Sequence, residues 1–285
     1  MSNPLITRRA ALATAATAPF ILTRAGQAKT KATAFALIGD RYHNSDYIRV
    51  GLGRTLVREA GLSVDFVDET SLLTAETLTG YKLLIILRDG MTWPDGYPDE
   101  RTNAGFLATG SPKLVSDPPV VAPSGEAAKP HYWITAAQGR AVKQFTQAGG
   151  AVLLMHNVTY IAPHNPDFRD VLGAVTEGHP PIRTFTVKVT NAAHPIARGV
   201  KDFTVTDEQH YLRYEKDRQH LFLESVNQDG LTYKELGASA PAGWAYDYGK
   251  GRVCYLGPGH LLTALWNPEF VKLQQNAAKW LLRAS

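Results

Sequence analysis

The chain has 285 residues, 44% of them hydrophobic and 20% charged, which is enough apolar material for one large core and no sign of a disordered or low-complexity protein. The formal net charge of +4 falls to +1 without residues 1–28, which hold Arg8, Arg9 and Arg24 and no acid, so no basic face is left for nucleic acid. The single cysteine, Cys254, excludes an intrachain disulfide, and its place in GRVCYLG reads as a small buried hydrophobe, not a nucleophile.

Thr7-Arg8-Arg9 precedes an Ala/Thr-rich run from Ala10 to Leu22, and Gly26 and Ala28 follow at cleavage-site spacing. This is the pattern of a twin-arginine export signal over 1–28, with 29–285 as the mature domain in the periplasm or outside the cell. The run is too short and too Ala-rich for a bilayer, which takes ~20 apolar residues, so no membrane span is expected. TAFALIG (33–39) reads as a strand. A helix follows from about 47 to 60, with Ile48, Leu52, Leu56 and Val57 on one face and Gly61 at its end. Strands at 63–69 and 81–87 complete an alternation typical of a parallel sheet covered on both faces.

Residues 89 to about 133 are rich in Pro, Gly and Asp, and so long a connection reads as a functional loop or lid. A helix (TAAQGRAVKQFTQAGG) and a strand (AVLLMH) follow. Beyond Val158 the rhythm changes. FRDVLGAV reads as a short helix, and RTFTVKVT alternates like a half-exposed antiparallel strand. Two strands meet at Gly249-Lys250-Gly251 as a hairpin, and a last helix starts at Pro268. The fold class is α/β, one domain with an antiparallel extension in its second half.

Three histidines stand just past the carboxyl end of a strand: His43, His156 and His260. In an open α/β sheet the ligand crevice lies there, so the three imidazoles converge if their strands are neighbours. Neutral imidazole ligates Zn²⁺ or a similar divalent metal, and it also passes protons near neutral pH. The long-range spacing has no metal-motif precedent of the HExxH kind. Asp207 and Glu208 are a second candidate pair; in an extended chain only one of them points inward, as acid–base group, metal ligand or sugar acceptor. Asp40 and Asp46 flank His43 and can orient it. His194 in HPI reads as structural, fixing a turn. His179 precedes Pro180 in extended backbone and stays ambiguous. Trp244 and Trp266 suit either a sugar face or the core. GLGR (51–54) falls within a helix, against a dinucleotide site, and no Gly-x-Ser-x-Gly elbow is present.

HNS (43–45), AGGAVLLMHN (148–157), EGHP, the HPIARGV–DF–TDEQHY block (194–211) and GWAYDYGKGRVCYLGPGH with Trp280 together resemble the ThuA-like (trehalose utilisation) family. The resemblance runs from about 33 to 283. It implies a flavodoxin-like layered sheet similar to the class I glutamine amidotransferases, with His156 and Asn157 in the turn where those enzymes carry a cysteine. It also implies sugar catabolism beside a sugar 3-dehydrogenase as functional partner, and a small-molecule sugar as substrate. His43, His156, His179 and His260 match the family's recurrent histidines, and Asp207-Glu208 its acidic pair; the insert at 89–133 departs from it.

The function expected from this is an exported enzyme converting a 3-keto-glycoside by acid–base or metal-assisted elimination or hydrolysis. His156, Glu208 and Asp207 are the expected catalytic groups. His43, His156 and His260 are the expected metal ligands, and Asn157, His179, Tyr211 and Trp244 the expected sugar contacts. A non-catalytic periplasmic sugar-binding module and a metal-dependent hydrolase of another class, such as an amidase, are the rival readings. The sequence does not define an oligomeric state.

Overall fold

The computed structural model describes residues 31–92 and 130–284. The expected export signal and most of the long connection, 93–129, lie outside the described residues. In chain order the elements are β1 (Ala34–Ile38), α1 (Ser45–Leu52), β2 (Val64–Val67), α2 (Ala75–Leu78), β3 (Leu83–Leu87), β4 (Met91–Thr92), β5 (His131–Tyr132), α3 (Ala136–Gln147), β6 (Ala151–Met155) and α4 (Pro166–Leu172). Then come β7 (Ala174–Gly178), β8 (Arg183–Val189), β9 (Phe203–Asp207), β10 (Tyr211–Tyr214), β11 (Leu221–Asn227), β12 (Ser239–Tyr248), β13 (Gly251–Leu256), α5 (Leu262–Leu265) and α6 (Pro268–Leu281).

Nine strands form one sheet in the order β2-β1-β3-β6-β13-β12-β11-β8-β9. The first five run parallel, and the last four continue antiparallel. Every residue of β1, β3 and β6 is buried, as a sheet covered on both faces requires. Alternate side chains feed two cores. Ala36, Ile38 and Met155 pack with Ile48, Leu52, Phe270 and Leu273 of α1 and α6. Phe35, Leu37 and Leu154 pack with Val142, Phe168 and Leu172 of α3 and α4. The half-exposed pattern expected of 183–189 is present in β8, and β12 and β13 form the expected hairpin, with Gly249 at φ +62.

Local chemistry sets the ends of the helices. Asn44 accepts from Asp46 N–H to start α1, Thr135 and Gln138 close a reciprocal capping box on α3, and Asn267 caps α6 ahead of Pro268. The helix expected over 47–60 is α-helical only to Leu52 and continues as a π-helical turn to Arg58.

Two features position the site. The chain leaves β1 for β2 on one side and passes to β3 on the other, so a crevice opens at the carboxyl end of β1. Gly39 makes the sharp exit from β1 at φ +82, where an added Cβ would sit 2.7 Å from Ser45 Cβ. The register of β13 on β6 pairs Leu256 with Met155, which brings Gly257 beside His156.

Candidate metal centre

His156 follows β6 directly and holds a left-handed backbone, φ 52, uncommon for any residue other than glycine. Such strain persists only where the surroundings enforce it, and it gathers at functional sites. Gly259 packs against the ring: a Cβ there would come 2.8 Å from His156 Cβ.

The three strand-end histidines meet. His43 Nε2 lies 3.1 Å from His156 Nε2 and 2.9 Å from His260 Nδ1. Glu208 Oε2 stands 3.3 Å from both His156 Nε2 and His260 Nδ1 and 3.9 Å from His43 Nε2. All four ligand atoms lie within 4.8 Å of one another. A carboxylate and a carbonyl oxygen beside the far nitrogens of two rings call for N–H there. His43 Nδ1–H donates to Asp40 Oδ1 at 2.8 Å, and His156 Nδ1–H donates to the Gly257 carbonyl at 3.0 Å. Both facing Nε2 atoms then carry bare lone pairs, an arrangement that repels unless a cation or proton lies between them.

Donors about 2.0–2.1 Å from a shared tetrahedral ion are roughly 3.3 Å apart, and the observed spacings bracket that value. Asp40 is the orienting partner such sites use. It is buried and accepts from Tyr42 N–H, His43 N–H, Asp89 N–H and Asn157 Nδ2. The donor set therefore fits a divalent ion of the zinc kind.

The electrostatics are those of rings gathered round buried carboxylates. Burial lowers the pKa of His43 against the pull of Asp40, and the neighbouring imidazoles lower it further. Burial also acts against protonated His156, but its hydrogen bond to Glu208 and the charges of Asp207 and Glu208 win, and its pKa is raised. Burial alone would raise Glu208; the bonds from His156, His210 and His260 outweigh it and hold the carboxyl far below the usual range. Asp89 is pushed well above that range by burial and by Asp40.

The centre opens into a pocket of 380 Å³ lined by Tyr42, Asp89, Met91, Tyr160, His179 and Ile182 together with site residues His43, Asn157, Glu208, His210 and His260. A larger cleft of 550 Å³ around Gly80 and Gly149, at the amino ends of the strands, has neither histidine nor carboxylate on its wall. The chemistry therefore belongs to the smaller one.

Of the residues singled out from sequence, His43, His156, His260, Glu208, Asn157 and His179 come together here. Three of the expected catalytic and sugar-contact residues do not face the pocket. Asp207 is fully buried and accepts the backbone N–H groups of Gly259 (2.7 Å) and Leu261 (3.1 Å), so it clamps the loop that carries His260. Both acids point inward, against the alternation expected, because β9 ends at Asp207 and Glu208 lies beyond it. Trp244 is a core residue: its Nε1–H donates to the Leu172 carbonyl and its ring stacks on Tyr255 at 4.0 Å. Tyr211 is buried against Tyr233, its hydroxyl accepting from Asn227 Nδ2. Asp46 lies exposed in the first turn of α1, away from His43. His194 is structural as expected, accepting from Ile196 N–H and stacking on Phe222. Sequence reasoning missed His210, two residues past Glu208, and Asp89, just past β3; the strand-end rule that found the histidines also applies to Asp89.

The profile of the family described as ThuA, trehalose utilisation, matches residues 120–281. The matched segment includes His156, Glu208, His210 and His260, while Asp40 and His43 precede it. No curated protein matches the chain. Among solved structures the chain is similar to a ThuA-like protein from Parabacteroides merdae, with 17% identity and a TM-score of 0.62 over 88% of this chain and 90% of that one. A ThuA-like protein from Bacteroides uniformis gives 17% and 0.56 over 90% and 94%. A cytoplasmic protein from Salmonella typhimurium gives 14% and 0.52 over 88% and 98%. At these identities the structures speak for the flavodoxin-like fold alone. The profile covers more than half of the sequence, and the chain therefore belongs to the ThuA family, which is related to carbohydrate utilisation.

Proposed function

We propose that the chain is an exported, cation-dependent enzyme that cleaves a 3-keto-glycoside by elimination or hydrolysis. The observation that supports this most is the convergence of three imidazole nitrogens and one carboxylate oxygen within 4.8 Å, three of the four residues (His43, Glu208 and His260) lining a pocket sized for a sugar ring. Tyr42, Met91, Tyr160 and Ile182 offer apolar surface to the ring's carbon face, and His179 and Asn157 offer polar contacts. The Arg8-Arg9 leader supports export.

A divalent ion held by His43, His156 and His260 beside Glu208 would polarise the keto oxygen and stabilise negative charge on it. A 3-keto group acidifies the C2 proton. Asp89, whose carboxyl is pushed upward by burial and Asp40, takes that proton; the C1–O bond breaks; and Asp89 returns the proton to the departing oxygen. A carboxyl with a raised pKa serves in both directions. Proton transfer falls to Asp89 because the facing atoms of His156 and Glu208 are turned into the cluster. Asp207 acts as a positioning group for His260.

The test is release of aglycone from 3-keto-glucosides by the purified protein, followed by NMR with and without a chelator. Chelator-sensitive release, lost by roughly 10²-fold or more in Asp89→Asn while the bound ion is retained, supports the proposal. Release indifferent to chelator contradicts it. Binding without turnover identifies a sugar-binding module, and metal-dependent release from amides alone identifies an amidase.

A further inference from the structure

Glu208 Oε2 meets two more rings. It lies 3.4 Å from His210 Nε2 and 3.7 Å from His179 Nε2. His179, Glu208 and His210 form a second group whose ligand atoms lie within 4.8 Å of one another. The His179 and His210 rings stack, with centroids 5.0 Å apart and planes 16° from parallel. The His210 ring in turn lies 4.3 Å from that of His156, so the two groups adjoin through one carboxylate oxygen.

The tautomer argument applies again. His179 Nδ1–H donates to the Pro180 carbonyl at 2.9 Å, which leaves Nε2 with a bare lone pair toward an anionic oxygen. That contact is unfavourable unless positive charge lies between them. His210 is buried, and its Nδ1 has no protein partner among the described residues. With Gln209 it lines a separate cavity of 10 Å³, about the size of one water.

We propose that the centre is binuclear: Glu208 bridges one ion held by His43, His156 and His260 and a second held by His179 and His210. The inference rests on the cation-dependent reading above and adds a site to it. Because His179, His210 and Glu208 all line the pocket, the second ion faces substrate with open coordination positions. Paired ions ~3.5–4 Å apart suit a ligand with two adjacent oxygens, such as a keto group beside a hydroxyl on one sugar ring.

The experiment uses the full chain, stripped of metal and titrated with Mn²⁺, with bound ions counted by elemental analysis and their coupling read by electron paramagnetic resonance. The expected result is two ions per chain with a spin-coupled spectrum. His179→Ala should hold one ion with an uncoupled six-line spectrum, and His210→Gln should behave alike, so the test stands if one of the two folds poorly. One ion per chain in the native protein, lost in His43→Ala, overturns the bridge and leaves the single-ion reading standing. Two ions in both His179→Ala and His210→Gln also overturn it. No bound ion overturns both readings.

Discussion

Asp207→Asn separates a clamp from an acid–base group. In the native chain both carboxylate oxygens are used: Oδ2 accepts from Gly259 N–H at 2.7 Å and Oδ1 from Leu261 N–H at 3.1 Å. Asparagine keeps one acceptor and turns an NH₂ toward the other donor. Loss of one charge-assisted bond and the unmet N–H together cost about 3–4 kcal/mol. Removing the charge gives part of this back, because burial outweighs the neighbouring histidines and raises the pKa of Asp207. A net loss of about 2 kcal/mol remains, which for a domain of this size lowers Tm by roughly 4–8 °C. The displaced bonds bracket His260, so Zn²⁺ affinity should fall by about 10–100-fold, the range for loss of an orienting partner. Thermal unfolding and calorimetric Zn²⁺ titration read both effects. A variant that keeps its Tm and its Zn²⁺ affinity but loses turnover would refute the clamp, since that pattern belongs to a group that reacts with substrate.

Three further outcomes follow from the same geometry. Gly259→Ala drives a methyl to 2.8 Å from His156 Cβ, and because that backbone is already left-handed the ring must shift; a loss of about 1–3 kcal/mol and weaker Zn²⁺ binding should appear in the same two assays. Trp244→Phe removes the bond to Leu172 O and part of a fully buried ring stacked on Tyr255, so it should lower stability by about 2–4 kcal/mol and leave sugar binding intact, whereas selective loss of sugar binding would make Trp244 a ligand contact. Metal uptake should release protons: the raised pKa of His156 means a proton on Nε2 competes with the ion, so affinity is full above that pKa and falls as pH drops through it. Calorimetry in buffers of different protonation enthalpy measures this, and an affinity that stays flat over about pH 6–8 contradicts it.

His43, His156 and His260 are legible in the sequence because a strand's end is visible as the end of an apolar run, and an open α/β sheet puts its crevice there. Their convergence depends on strand order, which sets β1, β3, β6 and β13 side by side and cannot be read from the runs themselves. His210 escaped notice because TDEQHY leaves the strand at Asp207, after which a period of two no longer says which side chains share a face. For Trp244 and Tyr211 the residue type is the sequence's cue to the site, and an aromatic ring suits a sugar and a core equally well. In β12 the residues around Trp244 are buried in an unbroken run, so no alternation marks one face as open. Asp89 borders the Pro/Gly-rich connection, where no periodic pattern marks a strand-end carboxylate.

Diffraction from zinc-soaked crystals, on both sides of the zinc absorption edge, would reveal whether the imidazole cluster holds a metal ion. The expected result is an anomalous peak about 2.0–2.1 Å from His43 Nε2, His156 Nε2 and His260 Nδ1. A cluster that stays free of anomalous density, its rings joined only through protons, would contradict it.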